Sequence, residues 1–361
     1  LESTDNLSGK KVVGSILFLS CCLGISLMLC LGLLCGALFL VQSRTSASLP
    51  ALLLPTPTLD LACESYDCLQ VCQQQLPDMI NPSTPNRLDE ASTPESQVDI
   101  ARYKVSEDRL SLKLLALPPV TGDLKSLQLD RDLHQRIWKY YRQIFPETQM
   151  VQVTYVVFFT DGQHQTTAYL RELGHQWHLY IDLLDFNNQY DTTETLIHEY
   201  GHLLTLNDSQ ATDPQWHSFR GWTRKDFDEL RKTCSGFFSG SLCAYSGSYL
   251  NQFGQHFWTE SLYDEWVETV FLPRATGPGD PDELVTKFYE LHPDQFVSEY
   301  AASRPTEDLA ESWVAFILQP KPAGQTIAEQ KILFFYAFDD LLEIRAKIIR
   351  GICNYAAQGI K

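Results

Sequence analysis

Basic residues are scarce in this chain. Its 28 lysines and arginines face 45 acids across 361 residues, a formal net charge of −17. A nucleic-acid binder needs a Lys/Arg surplus to displace counterions from phosphate, so that class is excluded. The same deficit excludes a protein held on anionic lipid by charge alone. Methionine is nearly absent: Met28, Met79 and Met150 are the three in the chain. Ten cysteines are too few, at this length, for a scaffold built from disulfides. What is abundant is apolar: 44% hydrophobic and 12% aromatic residues exclude a mainly disordered chain.

Charge is missing altogether from Val12 to Val41. About 20 apolar residues cross a bilayer, and a signal-peptide core spans only about 7–15, so residues 12–41 are expected to form one retained transmembrane helix. Lys10 and Lys11 precede the run, and Arg44 alone follows within twenty residues. The positive-inside rule then places a short N-terminus, 1–11, in the cytoplasm and the remainder on the extracytoplasmic side of the membrane. Residues 42–97 are rich in Pro, Ser and Thr and read as a linker. They carry Cys63, Cys68 and Cys72 at spacings that match no zinc ribbon. Beyond the apolar run the cysteines number six, an even count compatible with disulfides in an oxidising compartment. Cys234 and Cys243 bracket the Gly/Ser loop SGFFSGSL, which a local bridge would close; free thiols are the alternative.

Residues 98–361 are expected to form one domain, with a small sheet and a motif helix first and a mainly helical half after. Leu133, Ile137, Tyr140, Tyr141 and Ile144 repeat at helical spacing over Asp132–Ile144. Val151–Phe159 reads as a buried strand, and Trp177–Leu183 alternates as a half-buried strand that would offer a sheet edge to an extended peptide. Asp191 and Glu194 fit a capping box opening a helix at about 192–206. Residues 207–290 are irregular, with short helical stretches such as Phe227–Lys232 and Leu262–Val270, and are broken by Pro273, Pro278 and Pro281; two helices follow, Thr306–Leu318 and Ile327–Arg350.

The chemical signal is His198-Glu199-Tyr200-Gly201-His202. Residues four apart share a helix face, so both imidazoles reach one metal ion, while Glu199 lies about 100° away, placed for the water rather than the metal. Catalytic zinc takes a third protein ligand and keeps one position open. The metzincin pattern would put that ligand at Asp208 with glycine at Thr205 and a later Met-turn, and no methionine follows the motif. The gluzincin pattern takes a glutamate from a later helix, and Tyr300-x6-Glu307-x3-Glu311 offers one. Glu307 and Glu311 lie one turn apart, so one can ligate while the other orients a histidine. Asp308 is the rival ligand, and a solvated acidic first turn is the reading without metal.

These two stretches resemble the catalytic domain of anthrax lethal factor and related gluzincin peptidases. Phe296–Leu318 is also similar to a group of bacterial zinc-binding metallopeptidases. The resemblance covers about forty residues and implies a zincin-like α+β fold. It also implies His198, His202 and Glu307 as zinc ligands, Glu199 as general base, Tyr300 as oxyanion stabiliser and Glu311 behind the metal ligands. The expectation is a membrane-anchored, extracytoplasmic zinc peptidase that hydrolyses peptide bonds of a peptide or protein substrate. Zinc amide hydrolysis of cell-wall or other non-protein material, and a non-catalytic zincin-fold interaction module, are the alternatives.

Overall fold

The computed structural model describes residues 66–74, 96–145, 153–162, 166–184, 189–212, 221–277 and 280–359. All belong to one unit, Pro57–Lys361. The apolar run 12–41, most of the linker, Cys63, His164 and His217 lie outside the described residues. Among the described residues no helix is long and apolar enough to cross a membrane.

Helix α1 (Tyr66–Gln74) carries two of the linker cysteines. Cys72 is bonded to Cys353 near the C-terminus, and Cys68 is disulfide-bonded as well. Closing a loop over a sequence separation of 281 stabilises the fold by about 5 kcal/mol on chain-entropy grounds.

Strands β1 (Val98–Val105) and β2 (Leu112–Ala116) open the domain and lead to helices α2 (Leu124–Leu129) and α3 (Arg131–Ile144). The Asp130 side chain caps α3 by accepting from Leu133 N. Phe145, ahead of Pro146, is extended, as the residue before proline prefers. Strands β3 (Val153–Thr160), β4 (Ala168–Glu172) and β5 (Trp177–Asp182) complete a sheet ordered β2-β1-β3-β5-β4. β3 and β5 are parallel; the other pairs are antiparallel. Val156, Phe158, Leu179 and Ile181 enter the main core, where Phe158 stacks on buried His134. Val157, Phe159, Tyr180 and Tyr169 cluster separately.

Trp177–Leu183 is therefore not the sheet edge; it lies between β3 and β4. The edge is β4, short and half-exposed, returned by a tight turn in which Gly174 and His175 both have φ near +60°. Positive φ at both central residues is the hairpin turn whose twist matches the strands.

Helix α4 (Gln189–Thr205) carries the motif. It starts before Asp191, so Asp191 and Glu194 form no capping box; Asp191 is a first-turn acid that complements the helix dipole.

The described part of 207–290 is helical at both stretches expected there, Phe227–Lys232 and Leu262–Val270, and elsewhere as well. A two-residue ladder pairs Ala211–Thr212 with Cys243–Ala244, and Cys234–Cys243 is a disulfide. Helices α5 (Arg224–Thr233), α6 (Tyr249–Phe257) and α7 (Glu260–Trp266) are capped by Thr223, Ser248 and Thr259. A π-helical turn, Val267–Phe271, joins α7 to α8 (Leu272–Thr276), and α9 (Pro281–Leu291) follows. Pro281 starts a helix rather than breaking one, since the first turn needs no N–H from it, and Pro273 lies just past the π-helical turn inside a continuous helical run.

A 3-10 turn, Tyr300–Ser303, leads into α10 (Pro305–Leu318), then α11 (Ile327–Phe335) and α12 (Asp339–Gly359). The single long helix expected over 327–350 is thus two. Between them the N–H groups of Tyr336, Ala337 and Phe338 bond carbonyls three residues back, while Phe334 and Phe338 pack on Phe253 and Tyr249.

Candidate metal centre

Two helices make the site, and a glycine sets their distance. A Cβ on Gly201 of α4 would lie 2.9 Å from Trp313 Cδ1 and 3.6 Å from Ala310 Cα, both on α10. Trp313 is fully buried among Tyr200, Phe316 and Phe335 and has no room to retreat. A mid-helix glycine costs about 1 kcal/mol relative to alanine, and this close approach accounts for it.

That approach brings Glu307 of α10 to the motif. Glu307 Oε2 lies 3.1 Å from His198 Nε2 and 3.0 Å from His202 Nε2. All three donor atoms fall within 4.8 Å of one another. A tetrahedral ion with bonds of about 2.0–2.1 Å separates its ligand atoms by about 3.3 Å, so the three fit one zinc-sized cation. The chemistry of the donors agrees. Glu311 Oε1 takes a hydrogen bond from His198 Nδ1 at 2.7 Å, and Glu311 Oε2 accepts from Ser298 Oγ at 2.7 Å. With Nδ1 committed as donor, neutral His198 presents its Nε2 lone pair to the cation position.

The electrostatics describe a site short of positive charge. Burial alone would push the His198 imidazolium down, but hydrogen bonds to Glu307 and Glu311 outweigh it and raise it to about 10. Burial would raise the Glu307 carboxyl, but the His202 charge and the hydrogen bonds from His198 and His202 hold it well below its usual range. Without a metal, a proton at His198 balances the carboxylates.

Asp308, the rival ligand, is turned away. Its Oδ2 pairs with Lys331 Nζ at 2.6 Å and accepts from Trp258 Nε1 at 2.8 Å, all inside the core. Burial pushes its carboxyl up to about 6, with Lys331 pulling the other way.

Glu199 faces a cleft of about 490 Å³, lined also by Thr167, Ala168, Glu194, Thr195 and Tyr300. Burial pushes its carboxyl up, against the pull of His202 and His198. Its Oε2 accepts the Leu170 N–H of edge strand β4 at 2.8 Å. The Leu173–Gln176 hydrogen-bonded pair fixes the ladder parity, so Ala168, Leu170 and Glu172 point their backbone groups away from β5. Glu199 thus sits on the open edge of the sheet, a contact that the motif does not announce. Tyr300 is half-exposed, its ring 5.7 Å from that of His198. Burial is the main cause pushing its phenol up, so it stays a donor at neutral pH.

All six expected residues therefore lie together. Three contributors were not foreseen: β4, Ser298 behind Glu311, and Glu194 at the cleft wall. Ser298 lies two residues before Tyr300 in the block singled out in the sequence, and no spacing rule points to it. Among the described residues the other metal-capable cluster is Glu172, His175 and Asp208, fully on the surface. No family model matches the chain, and no curated protein or solved structure matches it either.

Proposed function

We propose that the protein is a zinc-dependent peptidase of the gluzincin type with a zincin-like fold, anchored in a membrane by residues 12–41 with its catalytic domain on the extracytoplasmic side. The observation that carries this is the convergence of His198 Nε2 and His202 Nε2 on one oxygen of Glu307, beside a buried Glu199. The disulfides support an oxidising compartment.

His198, His202 and Glu307 hold the ion in this reading, and Glu311, braced by Ser298, orients His198. Bound zinc would polarise the scissile carbonyl and bring the pKa of water to about 7. Glu199 takes the proton of the attacking water and passes it to the leaving amine. Burial raises its carboxyl, which favours a group that must take up a proton and then release it. Tyr300 donates its phenolic hydrogen to the oxygen on which charge develops. The outward groups of Ala168 and Glu172 give an extended peptide main-chain partners, with Leu170 N held by Glu199.

The test is metal analysis and peptide cleavage by the full chain beside Glu199→Gln. Equal zinc in both with cleavage lost in the variant supports the reading. Equal cleavage in both forms overturns it, and a chain that retains no zinc points to an interaction module. Zinc retained with no peptide cleaved, but amide hydrolysis of cell-wall material, selects the other hydrolase.

A further inference from the structure

A second cavity, of about 130 Å³, is lined by Ser303 and Arg304, a few residues after the Tyr300 that lines the cleft. Its apolar base is Trp266 and Phe271, and its polar groups are Arg274, Arg304 and Ser303. One wall is the Ser239-Gly240-Ser241 loop, held by the Cys234–Cys243 disulfide. Gly240 has φ +95°, and a Cβ there would meet the Trp266 ring at 2.9 Å and Phe271 at 3.3 Å. Cavities of about 150 Å³ hold a benzene-sized molecule, so one side chain fits.

The guanidinium groups of this cavity are short of partners. Arg274 makes no ion pair or hydrogen bond among the described residues, and Arg304 has one long contact, 3.5 Å to Glu307 Oε1. Burial and the neighbouring Arg304 both hold the Arg274 guanidinium below its ordinary range, with Asp282, Tyr300 and Glu307 acting against them. An unpaired Arg274 beside Arg304 in one cavity marks the place of an absent anion.

We infer that this cavity is a specificity pocket that takes a carboxylate of the peptide substrate, held between Arg274 and Arg304. The inference rests on the peptidase reading for its role, because the Arg304 contact to Glu307 places the pocket next to the metal centre. Guanidinium groups bind carboxylates through paired, charge-assisted hydrogen bonds, and the aromatic base suits the methylenes of a glutamate stem. The segment 207–290 then has a task, since it builds the base, one wall and Arg274.

The full chain is given internally quenched peptides in which one position at a time is Glu or its neutral isostere Gln. Glu is expected to raise kcat/KM about tenfold or more at one position near the scissile bond. Arg274→Gln should bring that ratio close to one, while Arg274→Lys should keep part of it. Ser241→Trp, which fills the mouth from the wall, should also abolish it and covers the case in which Arg274→Gln does not fold. Calorimetry supplies a reading free of cleavage: N-acetylglutamate N-methylamide, its glutamine analogue and N-acetylalanine are titrated into wild type and Arg274→Gln. Binding of the first, lost in the variant, assigns a side-chain carboxylate; binding of N-acetylalanine assigns a C-terminal one. Selective binding with no cleavage of any peptide refutes the peptidase reading and retains the pocket. Cleavage with no carboxylate preference at any position, and no selective binding, overturns the pocket and retains the peptidase.

Discussion

Substituting Gly201 by alanine tests whether the contact between α4 and α10 sets the metal site. The new Cβ would stand 2.9 Å from Trp313 Cδ1, whereas carbon atoms pack at about 3.5–4.0 Å. The helices must therefore separate by about 0.6–1 Å, because Trp313 is boxed in by rings. Overpacking of this kind costs about 1–3 kcal/mol, and the helix gains about 1 kcal/mol from losing a glycine. The net loss of stability is about 0–2 kcal/mol, a small shift in Tm. The metal site is less forgiving, since ligand distances must hold to about 0.2 Å. Glu307 rides on α10 and both histidines on α4, so a shift several times that tolerance should lower zinc affinity by about 10- to 100-fold, the range seen when a ligand's support is removed. Chelator competition measures the affinity and urea unfolding of the metal-free chain the stability. Zinc affinity within twofold of wild type, in a variant that folds, refutes the idea that this contact positions the ligands.

The remaining perturbations act on the groups behind the ligands. Glu311→Ala frees His198 Nδ1 and should cost about 10- to 100-fold in zinc affinity, read by the same competition; an unchanged value would show that Glu311 orients nothing. Lys331→Met strands Asp308 in the core and should lose about 3–5 kcal/mol in urea unfolding, whereas Asp308→Asn with Lys331→Met should recover most of it. For pH, the His198 imidazolium lies above its ordinary 6.5, at about 10, so the metal-free site holds that proton through neutral pH and zinc must expel it. Apparent zinc affinity should then rise about tenfold per pH unit from 7 towards 10. In the metal-free chain the same proton's stabilising contribution is complete below 6.5 and disappears as pH rises through 10, which thermal melts against pH would show.

What was legible in the sequence was what is local. His198, Glu199 and His202 lie within one helical turn and a fifth residue, so spacing alone fixes their shared face. Helix α3 was legible because its apolar stripe is uninterrupted. The edge strand was not, because β4 is five residues long, partly exposed, and defined by its pairing with β5 rather than by its own pattern. The split between α11 and α12 was missed because both are apolar enough to sustain one helical period across the turn. In 207–290 the helical stretches at Phe227–Lys232 and Leu262–Val270 were legible within α5 and across α7 and the π-helical turn, whereas Pro273 and Pro281 read as breaks although one lies within a helical run and the other opens α9. The pocket was beyond reach: Arg274 and Arg304 are thirty residues apart, and a disulfide places the wall opposite them.

The three acids of α10 argue that rotation, as much as distance, builds this site. Glu307 and Glu311 are four residues apart and share the face turned to α4, where one meets both imidazoles and the other meets His198 from behind. Asp308 is one residue on, about 100° around the helix, and so points into the core. A carboxylate buried there costs stability even when paired, so its pairing with Lys331 is poor evidence for a gain in stability. Its geometry does something else. Asp308 accepts from Lys331 and from Trp258, and Lys331 Nζ also donates to the Gln295 carbonyl, so α10 is held from α11, from the end of α6 and from the approach to Tyr300. Rolling α10 by even part of a turn would break this pairing and swing Glu307 off the histidines together. The buried pair therefore acts as a rotational lock whose released state leaves a lone charge in the core, and it is the reason a helix with three acids in five residues presents the right one to the metal.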